Sequence, residues 1–363
     1  MEASTISVQD SEAIIRACTY HRHEFDRLLI QTPKTKLQAP FLQTSFRPSS
    51  PSGLGILRHL PDELVLMILR ELDIVSYLRF RGVNNRARSI ATNSIDYKTV
   101  VRHGMGGLKA LLKVRLGYLF TITRLHQVLV SRECEFCGKF ATFLYLITCQ
   151  RCCFTCLQIS SELHTLPIPI PKEFAKAVKK TAEEIERVCE PRSCVVYGKY
   201  SLEPWPRVTR PKWLAQAKPA IEKLESLDGS RKIPKLVLDH LPEHQVRNEA
   251  THHYCYRYMA ATAFPSYDSN RDQLEHGISC KGCQFRLEEY VRETDSSIEP
   301  PWGLNDRDRV YSTEEFMCHF RSCEHAQKVW ADTLETGEAP LTKFIRDGGT
   351  VISHERHLRY ELY

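Results

Sequence analysis

The stretch that decides the fold reads LRHLPDELVLMILRELDIVSYLRFRGV, from Leu57 to Val83. Pro61 fixes φ where a helix is expected to start, and the carboxylates of Asp62 and Glu63 favour the positive end of the helix dipole. The six residues 64–69 are all apolar, and at about 100° per residue such a run covers every side of a helix. A unit of about 40 residues cannot bury so much apolar surface alone. We therefore expect part of this helix to contact another domain or another protein.

The spacing of apolar and small residues over 57–98 resembles the F-box, a small three-helix module. The matching positions are Leu60, Pro61, Leu64, Ile68, Leu72, Ser76, Leu78, Arg81 and Val83. Asn84 stands where Ser or Cys is more usual in that family. The resemblance implies that the leading Leu-Pro and the first helix dock on the Skp adaptor of a cullin-based ubiquitin ligase. It places the following residues at that interface or in the packing beside it: Leu60, Pro61, Leu64, Ile68 and Leu72.

Composition limits the class of protein. The chain has 363 residues, 42% of them hydrophobic, which is enough for two or three globular domains. Its first residues lack the pattern of a secretion signal, and no apolar run approaches the length that crosses a bilayer. We therefore expect a soluble protein of the cytoplasm, the nucleus or both, without membrane contact. Its 14 cysteines are then kept reduced, which favours thiolate metal ligands or buried thiols over disulfides.

The charge argues against a dedicated nucleic-acid-binding protein. The formal net charge of +6 comes from 50 basic and 44 acidic side chains that are spread along the chain. Such a protein usually carries a dense basic face. The charge therefore indicates nothing more specific than solubility.

A compact group of six cysteines lies in CEFCGKFATFLYLITCQRCCFTC, residues 134–156. Two C-x2-C turns that face each other across a hairpin place four thiolates around one Zn²⁺ in tetrahedral geometry, and Gly138 lets the first turn close tightly. The apolar run 143–147 is the expected strand between the turns. The pattern C-x2-C-x15-C-x2-C fits this kind of site, with the ligands Cys134, Cys137, Cys153 and Cys156.

The two remaining cysteines of this group leave an alternative open. A second turn made by Cys149 and Cys152 would leave only eleven residues after Cys137, which is short for such a site. Cys149 and Cys152 are then buried small residues, or one of them replaces Cys153 as a ligand.

A later C-x2-C pair encloses Gly282 in its turn. Its partners are expected from a helix in STEEFMCHFRSCEHAQKVW, where Ser312 and Glu315 form a capping-box pattern at the helix start. At about 100° per residue, two potential ligands of this helix lie about 40° apart on one face, whereas Cys318 lies about 140° away. The sequence therefore predicts a Cys₃His site, which brings the expected total to two structural zinc ions. Its ligands are Cys280, Cys283, His319 and Cys323.

The fold class is mainly α with small zinc-stapled β-hairpins, in which a three-helix F-box precedes an irregular α+β zinc-binding region. Within that region Leu166–Pro171 is expected to be a stiff extended joint and Lys172–Val188 a single helix. The expected segments are a mostly disordered N-terminal segment and linker at 1–55, the F-box at 57–98, a helical connector at 99–131, a Cys-rich substrate-recognition region at 132–335, and a C-terminal tail at 336–363 with a hinge at Gly348 and Gly349.

The order of F-box, Cys-rich hairpin and late C-x2-C…H-x3-C resembles a group of filamentous-fungal F-box proteins over residues 57–335. No Gly-rich phosphate loop, G-x-S-x-G elbow or H-E-x-x-H pair is present, so we expect no enzyme activity from this chain itself. The favoured function is a non-catalytic substrate receptor of an SCF-type (Skp–cullin–F-box) ubiquitin ligase, monomeric apart from that complex, with an unidentified protein substrate. The alternatives are a zinc-dependent nucleic-acid-binding regulator and an F-box scaffold acting outside a ligase.

Overall fold

The computed structural model describes residues 8–32, 42–44, 53–195, 198, 200, 212–227, 255–294 and 305–349. These residues are mostly helical and include small antiparallel sheets, as the sequence predicts. The first elements are α1 (Val8–Cys18), β1 (Thr19–Tyr20) and α2 (Glu24–Leu28). A 3₁₀ helix at Gly55–His59 leads into α3 (Asp62–Glu71), α4 (Ile74–Arg81) and α5 (Asn85–Asn93). A helical connector follows, with α6 (Ile95–His103), α7 (Met105–Lys113) and α8 (Ile122–Val130).

The Cys-rich region alternates short strands and helices. Its first half contains β2 (Phe143–Tyr145), β3 (Gln150–Cys152), α9 (Phe154–Ile159), β4 (Thr165–Ile168), α10 (Lys172–Val178), α11 (Ala182–Val188), β5 (Arg192–Val195), β6 (Lys212–Gln216) and α12 (Ala217–Leu227). Its second half and the tail contain α13 (Cys255–Tyr258), β7 (Ala261–Ala263), β8 (Ser266–Asp268), β9 (Gln273–Glu275), β10 (Ser279–Cys280), α14 (Lys281–Thr294), α15 (Asn305–Asp308), α16 (Thr313–Ser322), α17 (Glu324–Thr336) and α18 (Lys343–Arg346). The sheets have the strand orders β3-β2-β7, β4-β6-β5, β8-β9 and β1-β10.

Proline marks the start of the first helix in the three-helix unit, and side-chain caps mark the starts of the other two. Helix α3 begins one residue later than expected, because Pro61 has the extended backbone of an N-cap, with φ −55° and ψ 149°. The carboxylate of Asp73 caps α4 by accepting a hydrogen bond from the Ser76 N–H at 3.0 Å. Asn84 caps α5 in the same way, through the Ala87 N–H at 2.9 Å. Asn84 thus supplies the acceptor that a Ser would supply at this position.

One apolar core runs from the three-helix unit through the connector into the first cysteine hairpin. Val65 and Leu69 of α3 are buried in it together with Leu125 of α8 and Phe143 of β2. A smaller separate core lies under the β4-β6-β5 sheet, and a third core surrounds the later cysteines. The three-helix unit is therefore packed onto the Cys-rich region rather than joined to it by an open linker.

Arg151 of β3 donates six hydrogen bonds to backbone carbonyls in that shared core. It is 0% exposed, and its guanidinium donates to backbone carbonyls of α8, of a residue two positions before β2 and of the turn after β7. The acceptors are Val128, Leu129, Ala141, Phe264 and Pro265. Burial lowers the pKa of Arg151 to about 10, so the side chain is still charged at neutral pH.

Two expectations for residues 166–188 are wrong. The supposed joint at Leu166–Pro171 begins as β4, an edge strand that pairs with β6, and an edge position tolerates the missing N–H of Pro167. The supposed single helix is divided into α10 and α11. Lys179 ends α10 in the left-handed region at φ 57°, and Thr181 starts α11 with a complete capping box to Glu184.

The prediction that residues 1–55 are mostly disordered is wrong for residues 8–32. Leu28, Leu29 and Ile30 are buried in the main core, and β1 pairs with β10 about 260 residues along the chain. Residues 42–44 also contact the three-helix unit and the first connector helix, since the Arg81 guanidinium and the Tyr97 hydroxyl both donate to the Leu42 carbonyl at 3.0 Å. These partners are distant in sequence, so local composition does not reveal them.

The expected hinge at Gly348 and Gly349 is a docked turn. Both residues have positive φ, and the Gly348 carbonyl accepts a hydrogen bond from the His23 N–H at 2.8 Å. A Cβ at Gly349 would crowd Tyr20 and Arg22, so the close approach itself requires glycine. The rest of the expected tail, residues 350–363, lies outside the described residues.

We predict that Arg151→Met lowers the free energy of unfolding by at least ~3 kcal/mol, because it leaves several buried carbonyls without a donor. Arg124→Met is the matched control, since Arg124 makes a surface ion pair with Glu135 at 3.0 Å that is worth ~1 kcal/mol or less. Urea unfolding of both variants measures the difference. Equal stability of the two variants would contradict the role given to Arg151.

Candidate functional site

The first candidate site is the solvent-facing side of α3. Val65 and Leu69 are 1% and 2% exposed, whereas Leu64, Met67 and Ile68 are 44%, 61% and 44% exposed. The helix therefore buries one apolar side in its own chain and leaves a second apolar side uncovered. We call Leu64, Met67 and Ile68 the α3 apolar face.

The five predicted adaptor-binding residues are divided between this surface and the core. Pro61, Leu64 and Ile68 are exposed, while Leu60 and Leu72 are half-buried and pack against the main core. Sequence reasoning did not select Met67, although its place in the uninterrupted apolar run and its spacing from Leu64 would have indicated the same side.

The second candidate site is the group formed by Cys134, Cys137, Cys153 and Cys156. Their sulfur atoms all lie within 4.8 Å of one another, and those of Cys137 and Cys153 are 3.6 Å apart. We call this group site 1. The structure brings together the four residues that the spacing selects.

Backbone hydrogen bonds shape both turns of site 1. In the first turn the Gly138 N–H donates to the Cys134 carbonyl at 2.9 Å, with Gly138 at φ 72° as the predicted tight turn requires. In the second turn Cys153 is the N-cap of α9, and its sulfur accepts a hydrogen bond from the Cys156 N–H at 3.3 Å. Backbone N–H groups directed at sulfur stabilise a thiolate.

Cys149 and Cys152 lie outside site 1. Both are 0% exposed in the main core. Burial raises the pKa of Cys149 to about 12 and also raises that of Cys152, so both remain neutral thiols at neutral pH. Of the alternatives left open by the sequence, the geometry favours Cys153 as the fourth ligand.

The third candidate site, which we call site 2, is the group formed by Cys280, Cys283, His319 and Cys323. All four potential ligand atoms lie within 4.8 Å of one another. The Cys283 sulfur is 3.3 Å from His319 Nε2 and 3.9 Å from the Cys323 sulfur. Cys280 ends β10 and Cys283 lies in the first turn of α14, so strand and helix together form the first half of the site.

Three details of site 2 differ from the expectation. Cys323 lies between α16 and α17 with an extended backbone, although its N–H still donates to the His319 carbonyl as in a helix. Gly282 is needed for helix approach rather than for a turn, since a Cβ there would clash with the backbone of Ala326. Ser312 caps α16, but the Glu315 carboxylate accepts from the Phe140 N–H and from Arg309 instead of completing a capping box.

The thiols of each group compete for negative charge. A hydrogen bond from Cys153 lowers the pKa of Cys134 to about 5, and the same contact raises the pKa of Cys153. At site 2, hydrogen bonding from Cys280 lowers the pKa of Cys323, while hydrogen bonding to Cys280 raises that of Cys283. A divalent cation removes this competition because it stabilises all the thiolates together.

The donor sets of both groups fit a metal ion of intermediate softness. Four sulfurs at site 1, and three sulfurs with one imidazole nitrogen at site 2, are the ligand sets of closed tetrahedral sites. The two groups can therefore hold metal ions.

Site 2 is joined to the N-terminal segment by several buried contacts. Thr19 stands opposite Cys280 in the β1-β10 pair, and the Lys281 ammonium donates to the Ala17 carbonyl at 2.7 Å. The Cys18 thiol contacts the Ala326 carbonyl at 3.4 Å. The first half of site 2 is thus also the docking point of residues 17–19.

Comparison with known proteins bears on the three-helix unit. Residues 57–99 match the family model of the F-box domain, which confirms the resemblance seen at residues 57–98. The chain therefore contains an F-box domain at residues 57–99. Neither the curated proteins nor the solved structures provide a match. The likeness of the Cys-rich region to fungal F-box proteins therefore stays a prediction. Among the described residues, no helix has both the length and the apolar character needed to span a membrane.

We predict that the chain binds two metal ions and that Cys137→Ser and Cys283→Ser each remove one of them, because each variant deletes one of four ligands. Metal content per chain, measured by mass spectrometry on purified protein, checks this. Cys149→Ala and Cys318→Ser are the matched controls and should keep both ions. Wild-type protein without metal would eliminate both sites.

We also predict that loss of metal from site 2 loosens the N-terminal segment. In Cys283→Ser the backbone amides of residues 10–20 should exchange hydrogen at least ~10-fold faster, because β10 is no longer held at the metal. Cys137→Ser should leave exchange in this segment unchanged. Hydrogen exchange with mass spectrometry gives the comparison, and equal protection in the two variants would disprove the coupling.

Proposed function

We propose that this F-box protein is a non-catalytic substrate-receptor subunit of an SCF-type ubiquitin ligase. F-box domains generally bind the Skp adaptor of such complexes, which connects them to a cullin. In this proposal the α3 apolar face and the adjacent Pro61 contact the adaptor, and the Cys-rich region binds a protein substrate. Zinc at sites 1 and 2 stiffens that region.

The observation that carries the proposal is the α3 apolar face. Leu64, Met67 and Ile68 form an exposed apolar patch on a helix whose other apolar side, at Val65 and Leu69, is buried in the same chain. Contiguous exposed apolar side chains mark protein contact sites, and burying one such side chain completely contributes ~1.5–3 kcal/mol. A partner that covers this face therefore gains a substantial part of its binding free energy from three residues.

The metal groups support a structural rather than a catalytic role. A catalytic zinc keeps one coordination position open for water or substrate, whereas each group here offers four protein ligands. F-box proteins are also typically non-catalytic adaptors. Ubiquitin transfer would then belong to other subunits of the complex.

The shared core supports the receptor role because it fixes the F-box relative to the first cysteine hairpin. Val65 of the F-box and Cys152 beside site 1 belong to the same buried core, and Arg151 ties the hairpin to α8. A receptor has to hold its substrate at a defined distance from the catalytic subunits. A rigid connection between adaptor contact and recognition surface meets that need.

We predict that the double variant Pro61→Ala with Leu64→Ala binds a purified Skp adaptor at least ~10-fold more weakly, because two exposed contact residues are truncated. Pro61 is exposed and Leu64 is 44% exposed, so the fold should be retained. Ile159→Ala, at a position that is 71% exposed in the Cys-rich region, is the matched control. Calorimetry measures the affinities, and circular dichroism verifies the fold.

Unchanged adaptor affinity in the double variant would overturn the assigned surface. Co-purification with a cullin distinguishes a ligase subunit from an F-box scaffold that binds the adaptor alone. Proximity labelling in cells, comparing wild type with the double variant, then identifies proteins whose ubiquitination requires the adaptor contact.

A further inference from the structure

The two halves of site 2 come from distant parts of the chain, and Tyr311 connects them. The backbones of Tyr311 and Ile278 form an isolated antiparallel bridge with two N–H···O hydrogen bonds of 2.9 Å. Ile278 lies two residues before Cys280, and Tyr311 lies at the start of the segment that leads into α16. Tyr311 therefore belongs by its backbone to the Cys280 half of the site.

The side chain of Tyr311 reaches the other half. Its hydroxyl is 3.4 Å from His319 Nδ1, and its ring stacks on the imidazole at 4.7 Å between centroids with an interplanar angle of 25°. Tyr311 is 0% exposed, so bulk water does not compete for this contact. The other ring nitrogen, Nε2, is the one that faces the Cys283 sulfur at 3.3 Å.

The Asp306 carbonyl determines which hydrogen bond the Tyr311 hydroxyl donates. The Tyr311 hydroxyl is also 3.3 Å from the Asp306 carbonyl oxygen, which can only accept, so the hydroxyl proton points there. The hydroxyl oxygen can then accept a hydrogen bond from an N–H at His319 Nδ1. A neutral imidazole has one N–H, and with that proton on Nδ1 the lone pair of Nε2 faces the thiolates.

We propose that Tyr311 is the positioning residue of site 2, which holds His319 in the tautomer and orientation that present Nε2 to a metal ion. The inference rests on the proposed metal site. Histidine ligands commonly donate their second N–H to such a partner, and losing it reduces metal affinity ~10–100-fold. The reverse hydrogen bond would put the imidazole proton on Nε2, where it would block the metal.

Tyr311→Phe tests the proposal because it keeps the stacked ring and removes only the hydroxyl. Tyr77→Phe is the matched control, since it removes another buried hydroxyl that donates to the Ala91 carbonyl at 2.7 Å in the F-box. Zn²⁺ affinity of the full-length chain is measured by competition with a chromophoric chelator. Co²⁺ absorption distinguishes the four-sulfur site from the site with one nitrogen.

We expect Tyr311→Phe to weaken site 2 at least ~10-fold and to leave site 1 unchanged, while Tyr77→Phe leaves both affinities unchanged. Wild-type protein that binds two ions together with an unaffected Tyr311→Phe variant would overturn the role of Tyr311 alone. Wild-type protein that binds no metal at site 2 would overturn the site itself and, with it, this inference.

A measurement on wild-type protein keeps the proposal testable if Tyr311→Phe fails to fold. In ¹⁵N-labelled, Zn²⁺-loaded protein, the proton of His319 should reside on Nδ1 and exchange slowly with water. His319→Cys retains a four-ligand set and identifies the signal by its disappearance. A rapidly exchanging Nδ1 proton, or a metal bound through Nδ1, would disprove the assignment.

Discussion

The buried guanidinium of Arg151 joins α8 to the first cysteine hairpin. None of its hydrogen-bond acceptors is a carboxylate. The Arg151 guanidinium is surrounded by backbone carbonyls from α8, from the hairpin and from the turn after β7. The acceptors Val128 and Leu129 lie in the last turn of α8, where the helix dipole is negative and favours a cation. The position of the F-box relative to site 1 therefore depends on a residue that belongs to neither.

Features that depend on neighbours in the chain were predictable from the sequence. The spacing of Cys134, Cys137, Cys153 and Cys156 allows few tetrahedral arrangements, and the structure gathers the set that spacing favours. The exposed side of α3 follows from the same kind of reasoning, since one helix cannot turn six successive apolar residues inward. The F-box match covers this same local stretch, within residues 57–99.

Features that depend on distant partners were not predictable. Glu315 has the position of a capping-box residue, yet its carboxylate binds the Phe140 N–H, 175 residues away. The C-x2-C pattern assigns Gly282 to a turn, but its Cβ position is occupied by the backbone of α17 at Ala326. His319 and Cys323 lie close together, as helical periodicity predicts. The helix nevertheless ends before Cys323, and the Tyr311 hydroxyl lies outside any helical pattern.

The docking of the N-terminal segment has a consequence for biosynthesis. The Ala17 carbonyl meets Lys281, 264 residues later, so α1 and β1 emerge from the ribosome long before their binding partner exists. At ~5–20 residues per second, this delay is on the order of ten seconds or more. During that time the F-box and the first hairpin can fold. The face of α1 that is buried in the finished protein stays accessible to chaperones. Formation of site 2 is thus also the step at which the N-terminal segment can dock.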